Sequence, residues 1–221
     1  MIKSIEHYNQ DYFENFQKKI GIITGTIGAH FFQKHIKISD SVLDFGCGGG
    51  YVLKNIKCKE KFGVELNDHS RAMALSNGVN CKKDLSMIND NSLDVVISNH
   101  CLEHVISPGE ILIDLNRKLK RGGKLIIVVP GESWKHSYKS EDVNYHLYTF
   151  SPMNLGNLID NAGFENISIK VKFNKWPPKY QLFYKLLGLK LFNVLSDFYG
   201  LINRKTVAKS NGFNNQPNLF I

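Results

Sequence analysis

SVLDFGCGGG, Ser41 to Gly50, decides the fold. Ser41–Phe45 is an apolar run of strand length, and Gly46, Gly48 and Gly50 follow it at alternate positions. A glycine-rich turn between a strand and a helix can tighten and bring backbone close to a ligand, because no Cβ stands in the way. Such a turn alone suits a structural bend as well as a binding loop, so the surrounding sequence has to choose.

Downstream, short apolar runs alternate with amphipathic stretches. KFGVEL (61–66), VNCKKD (79–84), LDVVISN (93–99) and KLIIVVP (124–130) read as the second to fifth strands. GYVLKNI (50–56), HSRAMALSN (69–77) and the stretch after Ser107, through ILIDLNRKLK, read as helices between them. Ser107 is the expected N-cap of that last helix, Pro108 fits its first turn, and Gly122–Gly123 are expected to mark its end. SPMNLGNLIDNAGF (151–164) is a further helix with Ser151 as cap, ENISIKVKF (165–173) a sixth strand, and the terminal NLFI a candidate seventh. Strands separated by helix-length segments imply a parallel sheet with right-handed crossovers. Before this core, Phe13, Phe16, Ile20, Ile27, Phe31 and Phe32 recur at helical spacing, so one or two helices are expected over residues 11–35.

The 221 residues suffice for one α/β domain, and 43% hydrophobic residues exclude a disordered chain. No run of 18 apolar residues is present, and the first residues lack the apolar centre of a secretory leader. A cytoplasmic protein is therefore expected. Cys47, Cys58, Cys81 and Cys101 show no C-x-x-C spacing and read as isolated buried thiols. The net charge of +8 lies entirely in residues 170–221, which hold nine Lys/Arg and one acid, Asp197. That pattern argues for one local basic surface and against a uniformly basic binder of double-stranded nucleic acid.

Two acids sharpen the glycine turn into a site. Glu65 ends the second strand, where a carboxylate can accept both hydroxyls of a ribose, and Asp84 ends the third, within reach of an adenine edge. The third glycine comes one residue earlier than in the dinucleotide fingerprint G-x-G-x-x-G. Asp44, just before the turn, would repel a pyrophosphate but suits an ammonium or a sulfonium. The residues thus favour S-adenosylmethionine (SAM) over NAD.

VLDFGCGGG, GVELN, DNSLDVVISNHCLEHV and LKRGGKLIIVVP resemble the successive signature blocks of class I SAM-dependent methyltransferases, closest to the group related to the ubiquinone and menaquinone methyltransferases. The resemblance spans about residues 40–170. It implies a Rossmann-like, doubly wound α/β fold whose sheet has about seven strands, mainly parallel, with an antiparallel last strand. It also implies one domain over 1–221, with N-terminal helices (1–39), a cofactor-binding core (40–173) and a basic helical segment plus last strand (174–221). Carried over by position, the methionine part of SAM is expected at Asp44, Gly46, Cys47 and Gly48. The ribose is expected at Glu65 and Leu66, adenine at Asp84 and Leu85, and a further cofactor contact at Asn99. Gly49 stands where family members usually have Thr or Ser.

His100, Glu103 and His104 spell H-x-x-E-H, the ligand order of one class of zinc peptidases. The strand running into Asn99 makes His100 a loop residue and not a helical ligand, so no metal is expected. Glu103 and His104 are expected to cap and pack a short helix. His100, at the strand tip, reads either as a hydrogen-bonding wall of the cofactor site or as a general base.

The amino-methylating signature Asn/Asp-Pro-Pro-Tyr and the Pro-Cys nucleophile of cytosine-C5 enzymes are both absent from the sequence. The stretch 131–152 brings Trp134, His136, Tyr138, Tyr145, His146 and Tyr148 to the usual acceptor side, as either an acceptor wall or a surface loop that closes the sheet edge. HLYTFSPMNLGNLIDNAGF and WPPKY are similar to methyltransferases of bacterial polysaccharide assembly. That similarity implies a glycan or other small-molecule acceptor, with His100 and His146 as catalytic candidates and O-methylation of a sugar as the reaction. A lipid- or quinone-type acceptor and a SAM-binding protein without catalysis remain open. In the C-terminal segment, Phe183, Leu187, Leu191, Leu195, Phe198 and Ile202 share one face of a helix, with Gln181, Lys185, Asn193, Ser196 and Asn203 on a polar side. This helix either packs on the domain or, with Lys170, Lys172, Lys175 and Lys179 nearby, lies on anionic lipid beside a lipid-linked glycan.

Overall fold

The computed structural model describes residues 10–131, 138, 144–173, 176–202 and 217–220. Trp134, His136, Lys175 and Asn203 lie outside the described residues. Strands β1 (Ser41–Phe45), β2 (Glu60–Val64), β3 (Asn80–Lys82), β4 (Leu93–Asn99), β5 (Leu119–Pro130), β6 (Lys170–Phe173) and β7 (Pro217–Phe220) form one seven-stranded sheet in the order β3-β2-β1-β4-β5-β7-β6. The first five pair in parallel, and β7 runs antiparallel between β5 and β6. The chain winds outward from β1 through β2 and β3, then returns to the other side of β1 with β4. The reversal opens a crevice at the carboxyl ends of β1 and β4, where open α/β sheets bind ligands.

Both faces of the sheet are covered, which explains why its central strands read as unbroken apolar runs. Val42, Val95, Ile97, Ile126 and Val128 pack on one side with Ala29 and Phe32 of α1 (Lys18–Gln33) and Leu53 of α2 (Tyr51–Asn55). Leu43, Val96 and Leu93 pack on the other side with Leu115 of α4 (Pro108–Lys118), and Ile127 and Val129 with Leu155 of α5 (Pro152–Asn161). Helix α3 (Asp68–Ser76) closes the edge near β3.

At the N-terminus, Gln10–Tyr12 passes through a π-helical turn, Phe13–Gln17, into α1. Gly21 and Gly25 of α1 lie against Tyr51. A Cβ at Gly25 would stand 2.5 Å from the Tyr51 Cβ and 2.7 Å from its backbone carbonyl.

Several boundaries differ from the sequence reading. Helix α4 ends at Lys118, ahead of Gly122–Gly123, and β5 starts at Leu119. Gly122 (φ 77°) sits within an irregular step, where Leu93 pairs with Leu119 but Val95 with Lys124. Ser107 occupies the N-cap position of α4 without a side-chain capping bond, whereas Ser151 forms a full capping box with Asn154. The sixth strand is confined to its last four residues, because Ile167 and Ile169 pack against the α5 side of the core.

The C-terminal helix reverses the expected sense. Helix α6 (Tyr180–Ile202) is broken at Gly188, whose φ is 67°. Beyond the break, Phe192, Ser196 and Gly200 are buried, while Leu191, Val194, Phe198 and Leu201 form an exposed stripe opposite them. Ser196, assigned to the polar side, faces inward.

Replacing Gly25 with Val is expected to destabilise the protein by about 1–3 kcal/mol, because the close approach of α1 to Tyr51 leaves no room for a side chain. Ile22→Ala, at an exposed position of the same helix, is expected to stay within about 0.5 kcal/mol. Thermal denaturation of the two variants measures the difference.

Candidate active site

The carboxyl ends of β1 to β4 open into a cavity of about 1310 Å³. Its wall includes Asp44, Gly46, Cys47, Gly48, Glu65, Leu66, Asp84, Leu85, Asn99 and His100, so the structure brings together every residue named for the cofactor and one of the two named histidines. The residues come from four consecutive strand ends. This explains why they converge although up to 56 positions separate Asp44 from His100.

Backbone hydrogen bonds wire the glycine turn to β2. The N–H groups of Gly46 and Cys47 donate to the Val64 carbonyl at 2.9 and 3.1 Å. The Gly48 N–H donates to Oε2 of Glu65 at 2.9 Å, and the Asn67 N–H donates to Oε1 at 2.9 Å. Asn67 in turn caps α3 by accepting from the N–H groups of His69 and Ser70. Gly46 (φ 75°) needs its missing side chain, since a Cβ there would fall 2.2 Å from Cys101 Sγ on the next loop. Burial pushes the Glu65 carboxyl up, and the N–H groups of Asn67, Gly48 and Leu66 work against that rise. Each oxygen keeps a lone pair for a ligand hydroxyl.

Asp44 is buried at the root of this turn, and its Oδ1 has no hydrogen-bond partner among the described residues. Burial, with Cys81 and Glu65 adding to it, holds its carboxyl well above the usual carboxylate range. An orphaned carboxylate oxygen in a dry site calls for a cation or a donor, which fits the ammonium or sulfonium of SAM. Asp84 caps the turn Leu85–Met87, accepting from the backbone N–H and the hydroxyl of Ser86. Leu66 leaves an apolar side chain 58% exposed at the rim, a surface suited to an adenosine face. Cys47 is almost fully buried. Its Sγ turns into the core and lies 3.4 Å from Cys81 Sγ, so these thiols are in contact, contrary to the isolated placement expected. They meet across β2, over Gly63, where a Cβ would fall 2.6 Å from Cys47 Sγ and 3.2 Å from Cys81 Sγ.

The strand-four tip carries the second feature. His100 has a left-handed backbone, φ 54°, and its N–H donates to the Val128 carbonyl at 2.9 Å. Leu102–His104 form a single 3₁₀ turn, so H-x-x-E-H does not lie on one helix. Glu103 is fully buried. Its Oε1 stands 3.3 Å from Nδ1 of His100, 3.7 Å from Nε2 of His104 and 3.9 Å from Nε2 of His146. Burial would raise the Glu103 carboxyl, but His100 first, then His104 and His146, hold it below the usual carboxylate range. One buried carboxylate oxygen thus faces three imidazoles. His146 reaches the cluster but is not among the residues lining the cavity.

Sequence reasoning missed several wall residues. Tyr12 and Gln17 come from the N-terminal helix, Asn144 from the segment before α5, and Trp176, Asn193 and Ser196 from the chain around α6. Gln17 covers the glycine turn and accepts a hydrogen bond from the Ser70 hydroxyl at 3.1 Å. The only local signal was the aromatic-rich helix; π-turns of this kind occur often at functional sites.

A family model described as "Methyltransferase domain" matches residues 17–169, and the chain belongs to that family. Together with the fold, this makes it a SAM-dependent methyltransferase. No curated protein matches the sequence. Among solved structures, a Thermotoga maritima SAM-dependent methyltransferase, described as a possible histamine N-methyltransferase, is 24% identical, with 77% of this chain and 86% of that chain covered and a TM-score of 0.61. The phosphoethanolamine N-methyltransferase 2 of Haemonchus contortus, in complex with phosphomonomethylethanolamine and S-adenosylhomocysteine, is 17% identical, with 87% and 51% covered and a TM-score of 0.62. The Haloferax volcanii complex of the Trm112 methyltransferase activator with a methyltransferase gives 16% identity, 96% and 95% coverage and a TM-score of 0.66. At these identities the likeness is one of fold.

A cation bound beside Asp44 favours its ionised form, so the raised pKa falls on binding and a proton is released. SAM affinity is therefore expected to rise with pH until Asp44 is ionised in the free protein. Calorimetry in two buffers of different ionisation enthalpy should register proton release, reduced in Asp44→Asn. Equal release from the two proteins would remove Asp44 from the site.

Proposed function

We propose that the protein transfers the methyl group of SAM to a hydroxyl of a sugar or other polyhydroxyl small molecule. The observation that carries this reading is the composition of one cavity. A glycine turn with two carboxylates lies at the cofactor end, and His100 stands at the tip of β4 among hydrogen-bonding and aromatic groups that include Tyr12, Asn144, Trp176 and Asn193. Aromatic faces beside amides and hydroxyls suit a polyhydroxyl ligand.

Gly46, Cys47 and Gly48 present backbone to the methionine part, Asp44 offsets its positive charge, and Glu65 accepts the ribose hydroxyls. Leu66, Asp84, Leu85 and Asn99 enclose the adenosine. When bound, the cofactor supplies an electrophilic methyl carbon. The chain's own task is to align the acceptor oxygen with that carbon and to take up the hydroxyl proton. Alignment alone can contribute about 7–11 kcal/mol in favourable cases, and a base about 10²–10⁴-fold. His100 lines the cavity and fits the base. His146, held 3.9 Å from Glu103, supports it from outside the wall.

Helix α6 supports a membrane source for the acceptor. No described helix is long and apolar enough to cross a membrane. The stripe Leu191, Val194, Phe198 and Leu201 is exposed, and exposed Lys170, Lys179, Lys185 and Lys190 lie around it in sequence, while Asp197 is paired with Lys172 at 2.8 Å. An apolar stripe beside unbalanced positive charge matches an anionic bilayer surface, and with it a lipid-linked glycan presented at the cytoplasmic face.

Glu65→Ala removes two charge-assisted ribose bonds, each about 1.5–3 kcal/mol, so SAM affinity should fall at least about tenfold; unchanged affinity by calorimetry would take Glu65 out of the site. Mass spectrometry of glycans and lipids from cells with and without the protein should show an acceptor heavier by one methylene, carried on oxygen. A methylated nitrogen would redirect the reading to an amine acceptor. In flotation, the protein should rise with anionic vesicles at low salt and less with neutral ones, and Phe198→Glu should abolish this. No flotation with either vesicle sinks the membrane reading.

A further inference from the structure

We propose that Glu103 is a positioning residue that fixes the tautomer of His100, so that Nε2 of His100 is the atom that takes the acceptor's proton. The inference rests on the hydroxyl-methylation reading and assigns a role to a residue that sequence reasoning gave only a packing function. Glu103 is fully buried, and neither of its oxygens receives a well-formed hydrogen bond among the described residues. Its backbone is clamped as well, since the N–H groups of Leu147 and Tyr148 donate to its carbonyl at 2.9 and 3.1 Å. A buried carboxylate is costly unless polar groups face it, and the nearest here is the imidazole of His100, 3.3 Å away.

Among the described residues, the titratable groups facing the cluster are His100 and Cys101 from the tip of β4, His104 from the 3₁₀ turn, His146 from the segment before α5, and Tyr12 from the N-terminal helix. Of the three imidazoles, His100 is nearest, and it alone meets Glu103 through Nδ1. A carboxylate accepts and does not donate, so the contact favours a proton on Nδ1 of His100. In the neutral ring this leaves the lone pair on Nε2, at the opposite edge of an imidazole that lines the cavity. Nδ1 is fixed by the buried carboxylate, and the left-handed backbone at His100, tied to Val128, aims the ring. Strained backbone of this kind persists where surrounding structure over-determines it, as at functional sites.

The step balances without another reactant. As the acceptor oxygen bonds to the methyl carbon and the carbon–sulfur bond leaves its electron pair on sulfur, the O–H bond breaks and its proton passes to Nε2 of His100. The resulting imidazolium faces the Glu103 carboxylate, and the 3.3 Å contact tightens towards charge-assisted length. The products are the methylated acceptor, S-adenosylhomocysteine and a proton that later leaves to solvent.

The tautomer is directly measurable. Full-length protein with ¹⁵N-labelled histidine, saturated with S-adenosylhomocysteine, is examined by long-range ¹H–¹⁵N correlation, and His100 is assigned by its loss in His100→Gln. The expected result is a neutral His100 with its proton on Nδ1, against the Nε2–H form usual for free histidine, and loss of that signature in Glu103→Met. His104 and His146, which meet the carboxylate through Nε2, should show Nε2–H. A wild-type His100 in the Nε2–H form overturns the proposal before any variant is needed, as does an Nδ1–H signature unchanged in a folded Glu103→Met. On an identified hydroxyl acceptor, Glu103→Met should lower kcat by about 10²-fold with S-adenosylhomocysteine affinity within about twofold. An Nδ1–H signature that depends on Glu103, with product methylated on nitrogen, overturns the hydroxyl reading and leaves the tautomer assignment standing.

Discussion

The site depends first on one carboxylate. Glu65 sits at the end of β2 and accepts the N–H of Gly48 on one oxygen and that of Asn67 on the other. The first bond holds the glycine turn open-side up. The second sets the start of α3, because Asn67 caps that helix. A single side chain thus joins the loop after β1 to the helix after β2, with lone pairs left towards the cavity. Removing it disturbs the turn as well as the ligand contact. A carboxylate suits this place because the N–H groups of Gly48 and Asn67 reach it from two elements and each of its oxygens accepts one.

The cofactor half of the molecule was legible in the sequence because its determinants are local. Each strand end carries its own signal: glycines after β1, Glu65 after β2, Asp84 after β3. The parallel sheet announces itself because both faces are buried, so Val42–Leu43 and Ile126–Ile127 read as continuous apolar pairs instead of alternating ones. What sequence periodicity could not supply was direction. The sixth strand was drawn too long because Ile167 and Ile169, apolar and β-branched, pack against α5 without joining the ladder. The polar residues of α6 were placed towards solvent by the usual rule, yet Ser196 is buried and Leu191 is exposed. That rule assumes water on the outer side and an apolar core on the inner one. Here the inner side borders the cavity, and Asn193 and Ser196 are among the residues that line it.

The acceptor half was not legible because it is assembled from distant segments. Tyr12 and Gln17, Asn144, and Trp176 with Asn193 line the same space from three stretches of chain, and nothing in their spacing links them. The H-x-x-E-H letters show the same limit of a linear pattern. They suggest a helical metal set, but the chain turns sharply at His100 and forms only one 3₁₀ turn, which buries Glu103 among imidazoles from two segments. The end of the cavity at the glycine turn is thus built from backbone and carboxylates fixed by the sheet, and the rest from side chains on elements that surround it. Such a division lets one fold serve many acceptors while keeping one methyl donor.

The crevice between β1 and β4 suits a cationic, phosphate-free adenosine ligand and not a dinucleotide. Equilibrium titration of the full-length protein with SAM and, separately, with NAD tests it most directly. Saturable one-to-one binding of SAM is expected, displaced by S-adenosylhomocysteine and unaffected by excess NAD. Saturable binding of NAD that displaces SAM, or no binding of SAM at all, would contradict it.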